Sequence, residues 1–268
     1  MRSRLLLTAL LALGAAAIAV GPILSAVSSS DTEPSGSAVT LLQMNLCLSG
    51  QAGCYDASTR AAVLDEAAAQ ILGHDPDAAT ISEACHRDVA ELARRTGYEL
   101  TFTDVDYGGA ALPCIDPRGR GLFGIAVLTK DAVTATRNRA LITRSDPEER
   151  RWVCATTSGE VTVCTAHLST RLTPGERTDN EAQCNELRSV LAGYERTGTT
   201  MFGGDLNRTS TCAPSTMWSA RDTAASQSPG LQHIYGSGSL DESSVSVAEA
   251  THTDHDYLRA AASSIKTD

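Results

Sequence analysis

Five short segments of this chain lead into polar side chains, and this repetition constrains the fold more than any other feature. The clearest segment is 201–207, where two apolar residues and two glycines precede Asp205 and Asn207. Side chains two positions apart on an extended strand point the same way, so this carboxylate and carboxamide can meet one ligand. The plain alternative is a turn after a strand, because Gly, Asp and Asn are common in turns.

The same arrangement recurs at four other places. Polar side chains at the strand ends of a rigid scaffold are well placed to share one cleft. Carboxylates and carboxamides suit a hard cation such as Mg²⁺, and an imidazole beside a carboxylate suits proton transfer. Taken singly, each of these residues also fits a loop cap, a surface charge or a solvated turn. The set is Asn45, Glu83, His167, Asp205 with Asn207, and Asp254 with His255.

The order of the elements favours a mixed α/β domain. The predicted strands outnumber the helices, and the helices fall between groups of strands, which indicates two mixed sheets packed together with helices outside, in one domain. Helices are expected at 59–72, 88–96 and 176–196, with a further short helix near Trp218 in the loop 209–230. Strands are expected at 39–44, 78–82, 100–105, 124–129, 133–142, 152–156, 161–166, 199–202, 232–235 and 243–248.

The first residues have the features of a secretory signal. A positively charged start precedes an apolar run over 5–20, and small residues at 24–26 resemble a cleavage site. We therefore expect a signal peptide at 1–26, a flexible linker at 27–37 and the folded domain at 38–268, in a secreted protein. An uncleaved membrane anchor is the alternative, although the apolar run barely reaches the ~20 residues that a membrane helix needs.

Eight cysteines follow this signal, an even number that favours disulfides on a secretory route. They allow 105 complete pairings, and proximity in the sequence selects four. The pair Cys154–Cys164 has the best argument, because 152–156 and 161–165 look like the two strands of a hairpin. A zinc site is less favoured, since no Cys-x-x-Cys pair occurs. The expected disulfides are Cys47–Cys54, Cys85–Cys114, Cys154–Cys164 and Cys184–Cys212.

The net charge of −10 argues against tight, nonspecific binding of nucleic acid. An acidic chain lacks the broad basic surface of proteins that grip nucleic acid tightly and without sequence preference. It remains compatible with an enzyme that touches a single phosphate through a metal ion.

The ordered set of segments resembles the endonuclease/exonuclease/phosphatase superfamily, which includes pancreatic-type deoxyribonucleases, exonuclease III-like enzymes, bacterial sphingomyelinases and inositol polyphosphate 5-phosphatases. The resemblance runs from about 39 to 262 and implies a four-layer α/β sandwich of the deoxyribonuclease I-like kind, with the site at the edge between two sheets. The matching segments are 42–45 (LQMN), 81–83 (ISE), 124–128 (GIAVL), 165–168 (TAHL), 204–207 (GDLN) and 253–255 (TDH).

The resemblance also implies a metal site and a phosphate site. By it, Asn45 and Glu83 hold a divalent cation, Mg²⁺ or Mn²⁺, with Ca²⁺ as a further candidate. His167 and Asn207 would contact the scissile phosphate. A cation and imidazoles would offset the negative charge that builds on the phosphate in the transition state.

The remaining roles concern proton transfer. By the resemblance, Asp205 orients the attacking water or stabilises the transition state near it. His255, oriented by Asp254, is either the base or a phosphate ligand. The family often carries an Asp on the preceding strand, where this chain has Gln232 or His233.

The sequence thus predicts a secreted, bacterial-type, metal-dependent phosphodiesterase, and a nuclease acting on DNA or RNA is favoured. Tyr107 and Arg87 are candidates for further substrate contact. A sphingomyelinase-type phospholipase C or a phosphomonoesterase is the alternative, ranked lower because aromatics are few and unclustered. A non-catalytic binding protein that keeps the fold is a third. No stable protein partner is expected, and the protein is expected to be a monomer.

Overall fold

The computed structural model describes residues 38–51 and 59–264, which form a layered α/β structure. The elements of this part are β1 (Ala38–Asn45), α1 (Arg60–His74), β2 (Ala78–Cys85), α2 (His86–Thr96), β3 (Glu99–Asp104), β4 (Asp106–Tyr107), β5 (Ala110–Ala111), β6 (Phe123–Thr129), β7 (Val133–Ala140), β8 (Arg151–Thr157), β9 (Val161–His167), α3 (Pro174–Glu195), β10 (Thr199–Asp205), β11 (Trp218–Arg221), β12 (Gln232–Gly236), β13 (Leu240–Ala248) and β14 (Tyr257–Ser264).

Two large sheets dominate the described residues. The first has the strand order β13-β14-β1-β2-β6-β3, and the second has the order β11-β12-β10-β9-β8-β7. Both are mixed, because β1 pairs with β2 and β9 pairs with β10 in parallel, while their other neighbours run antiparallel. The two mixed sheets with outer helices confirm the fold class predicted from the sequence.

Apolar side chains hold the layers together. A buried cluster that includes Leu41, Val153 and Met201 lies between the sheets. A second cluster packs α1 and α2 against the first sheet, and a third packs α3 against the second sheet. Burial of such aliphatic side chains supplies the main driving force for a fold of this kind.

Side chains cap the start of two of the three described helices, α1 and α3. Thr59 accepts a hydrogen bond from the backbone of Ala62 at the start of α1. Thr173 and Glu176 form a capping box at the start of α3, where Pro174 occupies the first turn. These residues satisfy backbone N–H groups that would otherwise lack partners at a helix start.

The sequence-based expectation for the segment around Trp218 is wrong. The short helix expected near Trp218 is instead the strand β11, which pairs antiparallel with β12. A four-residue edge strand has too few positions to show a period, so pairing with a neighbour decides its conformation.

The disulfides follow the pairing expected from sequence proximity. Within the described residues, Cys85–Cys114, Cys154–Cys164 and Cys184–Cys212 are bonded. Cys154 and Cys164 lie directly opposite each other on β8 and β9, as the predicted hairpin requires. The fourth expected pair involves Cys54, which lies outside the described residues, as do the expected signal peptide at 1–26 and linker at 27–37. No helix in the described ranges is both long and apolar enough to cross a membrane.

Candidate active site

Parallel strand pairs bring the predicted polar side chains to one edge of the two sheets. On the first sheet, Asn45 ends β1 and Glu83 lies near the end of β2. On the second sheet, His167 and Asp205 are paired at the ends of β9 and β10. Asn45 joins the two sheets, because its Nδ2 lies 2.9 Å from Glu83 Oε1 and 2.9 Å from Asp205 Oδ2.

Two residues of the site have backbones in the left-handed region. Glu83 has φ +54° at an irregularity in the pairing of β2 with β6, and Asn207 has φ +50° just beyond β10. Residues other than Gly rarely adopt this conformation, and bulges re-aim side chains at sheet edges. The backbone at both positions therefore turns its side chain into the cleft rather than continuing the strand.

Asp205 is buried and held by three N–H donors. Its Oδ2 accepts from Asn45 Nδ2 and from Gln232 Nε2, and its Oδ1 accepts from the backbone of Asn207 at 2.9 Å. Burial acts to raise the pKa of Asp205, but the nearby imidazoles of His255 and His167 and these hydrogen bonds outweigh it and lower that pKa. Asp205 is therefore an ionised carboxylate that can accept a proton.

His167 is an uncharged imidazole. Burial, together with the adjacent guanidinium of Arg150, lowers the pKa of His167 to about 3. Its Nε2 lies 3.0 Å from Asn207 Nδ2, and its Nδ1 lies 3.3 Å from Arg150 Nη1. Asn207 also donates to the carbonyl of Leu168 at 3.0 Å, so its amide nitrogen faces the ring.

The pKa of Glu83 is shifted in the opposite direction from that of Asp205. Burial, followed by the charges of Asp205, Asp254 and Glu148, raises the pKa of Glu83 to about 7, and the hydrogen bond from Asn45 only partly opposes this. Asp254 Oδ1 is buried without a hydrogen-bond partner. Unpaired carboxylate oxygen and crowded negative charge are what a bound divalent cation would neutralise, so these residues fit a cation.

The expected pairing of Asp254 with His255 needs correction. His255 Nδ1 lies 3.1 Å from Gln232 Nε2, and its Nε2 lies 3.5 Å from Asp205 Oδ2. No hydrogen bond joins Asp254 to this ring among the described residues, because the imidazole faces β12 and β10 instead. Gln232 and Asp205, rather than Asp254, orient His255.

Comparison with known proteins agrees with this geometry. The model of the Endonuclease/Exonuclease/phosphatase family matches residues 51–255, most of the chain. The chain belongs to this family. No curated protein sequence matches it significantly.

Solved structures of the family share the fold at low sequence identity. The human Nocturnin catalytic domain with bound sulfate anion superimposes with a TM-score of 0.66 at 18% identity, covering 85% of this chain and 95% of that one. Truncated Caenorhabditis elegans TDP2 gives 0.63 at 16% identity, covering 85% and 98%. An endonuclease/exonuclease/phosphatase from Beutenbergia cavernae gives 0.61 at 17% identity, covering 85% and 72%.

The two expected substrate contacts of this family member lie in different places. Tyr107 lines a cleft of about 440 Å³ beside Glu83, His167 and Asn207, and 51% of its surface is exposed. Arg87 is exposed on α2 and is not among the residues that line this cleft. The structure therefore brings Tyr107, but not Arg87, to the site.

Sequence reasoning missed several polar residues that belong to the site. Arg150 and Glu148 line the cleft and lie 2.9 Å apart, but they come from the segment before β8 and not from the end of an apolar strand. Gln43 and Gln232 are fully buried and hydrogen-bonded to each other across the two sheets. A glutamine within an otherwise apolar strand was the available signal, because buried polar groups need partners.

Proposed function

We propose that this protein is a secreted, divalent-cation-dependent phosphodiesterase, with nucleic acid as the favoured substrate. The observation that carries the proposal is the convergence of Asn45, Glu83, His167, Asp205 and Asn207 at one edge of the two sheets. Family membership supports phosphoric ester hydrolysis as the class of reaction.

Glu83 and Asn45 would hold the cation, with Asp254 as a third candidate because its buried oxygen has no other partner. Among the described residues, no group of three or more carboxylate, imidazole or thiolate side chains is arranged so that it could hold a metal ion by itself. Mg²⁺ usually takes only one or two protein carboxylates and keeps several waters, which is compatible with this arrangement. When bound, the cation would polarise the phosphate oxygen and stabilise developing negative charge.

The protein's own residues divide the remaining work. His167 and Asn207 would position the phosphate from β9 and the turn after β10, and Arg150 would add positive charge at the cleft wall. Water oxygen forms a bond to phosphorus while the bond from phosphorus to the leaving oxygen breaks. The ionised carboxylate of Asp205 accepts the proton from the water, and the leaving oxygen takes a proton from solvent.

An aromatic side chain beside the phosphate site favours nucleic acid over lipid. Tyr107 is half exposed at the cleft, and bases stack on such rings regardless of sequence. A TDP2 from D. rerio, with a TM-score of 0.61 at 14% identity, was solved in complex with a single-strand DNA product. Large exposed apolar side chains are few among the described residues, and they come from separate segments of the chain, namely Leu72, Tyr107, Ile142, Leu172 and Val245.

Secretion is part of the proposal. The charged start, apolar run and small-residue site at 1–26 support a signal peptide, and buried disulfides suit an oxidising compartment. Sequencing the N-terminus of protein recovered from culture medium tests this, with a new N-terminus after Ala26 as the expected result. Retention of Met1 in a membrane fraction would contradict it.

A substrate panel tests the activity. Plasmid DNA, single-stranded DNA, RNA, sphingomyelin vesicles and a chromogenic phosphodiester are each incubated with the protein, once with Mg²⁺ and once with EDTA. We expect EDTA-sensitive cleavage of nucleic acid and the chromogenic ester, with little release of phosphocholine. Turnover of sphingomyelin alone would favour the lipase alternative, and no turnover of any substrate would contradict the enzyme.

A further inference from the structure

A chain of fully buried polar side chains crosses the interface between the two sheets and ends at His255. Thr80 Oγ1 on β2 lies 2.6 Å from Gln43 Oε1 on β1. Gln43 Nε2 lies 2.8 Å from Gln232 Oε1 on β12, in the second sheet. Gln232 Nε2 in turn lies 2.9 Å from Asp205 Oδ2 and 3.1 Å from His255 Nδ1. We call Thr80, Gln43 and Gln232 the amide chain.

The carboxylate at one end fixes the direction of each hydrogen bond. An ionised carboxylate only accepts hydrogen bonds, so the amide nitrogen of Gln232, and not its oxygen, must face Asp205. The oxygen of Gln232 then accepts from Gln43 Nε2, and the oxygen of Gln43 accepts from the hydroxyl of Thr80. A flipped amide at either glutamine would set oxygen against oxygen, or donor against donor, in a buried place.

The amide chain also determines which nitrogen of His255 carries the proton. Gln232 has two amide hydrogens, one directed to Asp205 and the other to His255 Nδ1. A ring nitrogen that accepts a hydrogen bond carries no proton, so the proton of the neutral ring lies on Nε2. The other side of the ring agrees, because Nε2 lies 3.5 Å from Asp205 Oδ2, where a bare lone pair would face a carboxylate.

We propose that Gln232 is a positioning residue that holds His255 with its proton on Nε2, so that this imidazole serves the site as a hydrogen-bond donor. The proposal rests on the proposed function for its chemistry, whereas the position of the proton rests on the geometry of the amide chain. Because Nε2 already carries a proton and Nδ1 faces a donor, His255 is not the base. The proton of the attacking water goes to Asp205 in the step given above.

The second sheet packs closely against Thr80 and Gln43 at Gly203. A Cβ on Gly203 of β10 would lie 2.2 Å from Thr80 Oγ1 and 3.3 Å from Gln43 Oε1. The two sheets approach closely at this point only because Gly203 lacks a side chain. Gly203 therefore makes room for Thr80 and Gln43, the residues that orient Gln232.

Nitrogen NMR tests the position of the proton directly and without turnover. The full chain is labelled with ¹⁵N-histidine, stripped of metal with EDTA and kept at mildly alkaline pH, and the His255 signals are assigned by their loss in His255→Gln. We expect two-bond ¹H–¹⁵N spectra to show His255 protonated on Nε2 and bare on Nδ1. A proton on Nδ1, or protons on both nitrogens, would overturn the proposal.

Substituting Gln232 tests its role as the positioning residue. In Gln232→Glu the side chain offers an acceptor to Nδ1, so we expect the His255 proton to move to Nδ1. Gln183→Glu is the matched control, because Gln183 is also fully buried and hydrogen-bonded, but to Ser169 and Thr143. If Gln232→Glu does not fold, Gln232→Met serves, with Nδ1–H appearing beside Nε2–H. An unchanged His255 spectrum in a folded Gln232 variant would overturn the assignment.

Kinetics test the role of His255 as a donor rather than a base. Losing one hydrogen-bond donor of this kind lowers kcat by about 10²–10³. Gln retains an N–H group but cannot take up a proton. We therefore expect partial rescue, with kcat of His255→Gln about tenfold above that of His255→Ala. Equal loss in the two variants would contradict the donor role. Absence of turnover in the unmodified protein would instead contradict the proposed function, while the NMR result would still decide the tautomer.

Discussion

Different neighbours shift the pKa values of the two central carboxylates of the site in opposite directions. Glu83 has a pKa raised to about 7, because neighbouring carboxylates add to the cost of burying its charge. Asp205 has a lowered pKa, because hydrogen bonds and imidazoles surround it. Pairs of titratable groups whose surroundings separate their pKa values commonly mark distinct roles in one site. Here the difference suits Glu83 to a cation and Asp205 to a proton.

Replacing Asp205 tests its role most simply. Asp205→Asn keeps the shape of the side chain but removes the negative charge and its capacity to take a proton. We expect kcat for phosphodiester cleavage to fall by about 10²-fold or more. The control is Asp241→Asn on β13, an exposed position for which no change is expected. Similar rates for Asp205→Asn and the unmodified protein would remove Asp205 from the mechanism.

The raised pKa of Glu83 predicts that cation binding depends on pH. Below pH 7 the metal-free carboxyl is mostly protonated, and a cation must displace that proton, so affinity for Mg²⁺ weakens as the pH falls through about 7. Calorimetry at pH near 6 in two buffers of different ionisation enthalpy should show release of about one proton per cation. Release should be near zero well above pH 7 and absent in Glu83→Gln. Equal release at both pH values would contradict the assignment.

At the scale of elements, the parallel pairs β1–β2 and β9–β10 build the site. Each pair places two strand ends at the same edge, and Asn45 then bridges the sheets to Asp205. The close approach of the sheets depends on β10, where Gly203 faces Thr80 and Gln43. Site geometry is therefore coupled to packing in the middle of the sandwich.

A single methyl group at Gly203 should disturb that packing. We expect Gly203→Ala to lower the free energy of unfolding by about 1–3 kcal/mol, because the added Cβ would lie 2.2 Å from Thr80 Oγ1. Gly73→Ala in α1 is the matched control, since no atom lies within 4 Å of its Cβ. That change should be neutral or stabilise by up to about 1 kcal/mol. Urea unfolding measures both, and equal stability of the two variants would refute the packing argument.

Much of the site could be predicted from sequence, because a polar residue after a run of apolar residues marks the end of a strand. Asn45, His167 and Asp205 each end a run of buried residues. The parallel pairing of their strands then places these ends at the same edge of each sheet. The partner of His255 could not be found in this way. Gln232 lies far from His255 in sequence, whereas Asp254 is adjacent, and only the pairing of β12 with β10 brings the glutamine to the ring.

At the scale of the whole molecule, disulfides fasten the loops that surround the cleft. Cys85 follows Glu83 closely and binds Cys114, and Cys184 on α3 binds Cys212 beyond Asn207. Sequence proximity sufficed to predict these pairs, because each closes a short segment between neighbouring elements. The edge strand β11 was missed since it gains its structure only from its neighbour β12.

Removal of one disulfide should weaken the fold measurably. The pair Cys184–Cys212 has a sequence separation of 28, and a loop of this size predicts a loss of about 3.5 kcal/mol in Cys184→Ser/Cys212→Ser. Urea unfolding under non-reducing conditions measures the loss. A change below about 0.5 kcal/mol, within the range of neutral surface substitutions, would show that the bond contributes little.

Phosphodiester hydrolysis as a function of Mg²⁺ concentration tests the central claim most directly. Protein stripped with EDTA is titrated with Mg²⁺, and cleavage of a chromogenic phosphodiester and of single-stranded DNA is followed. The convergence of Glu83, Asn45 and Asp205 predicts no turnover without the cation and a saturable rise as it is added. Turnover that is unaffected by EDTA, or no turnover at any Mg²⁺ or Mn²⁺ concentration, would contradict a metal-dependent phosphodiesterase.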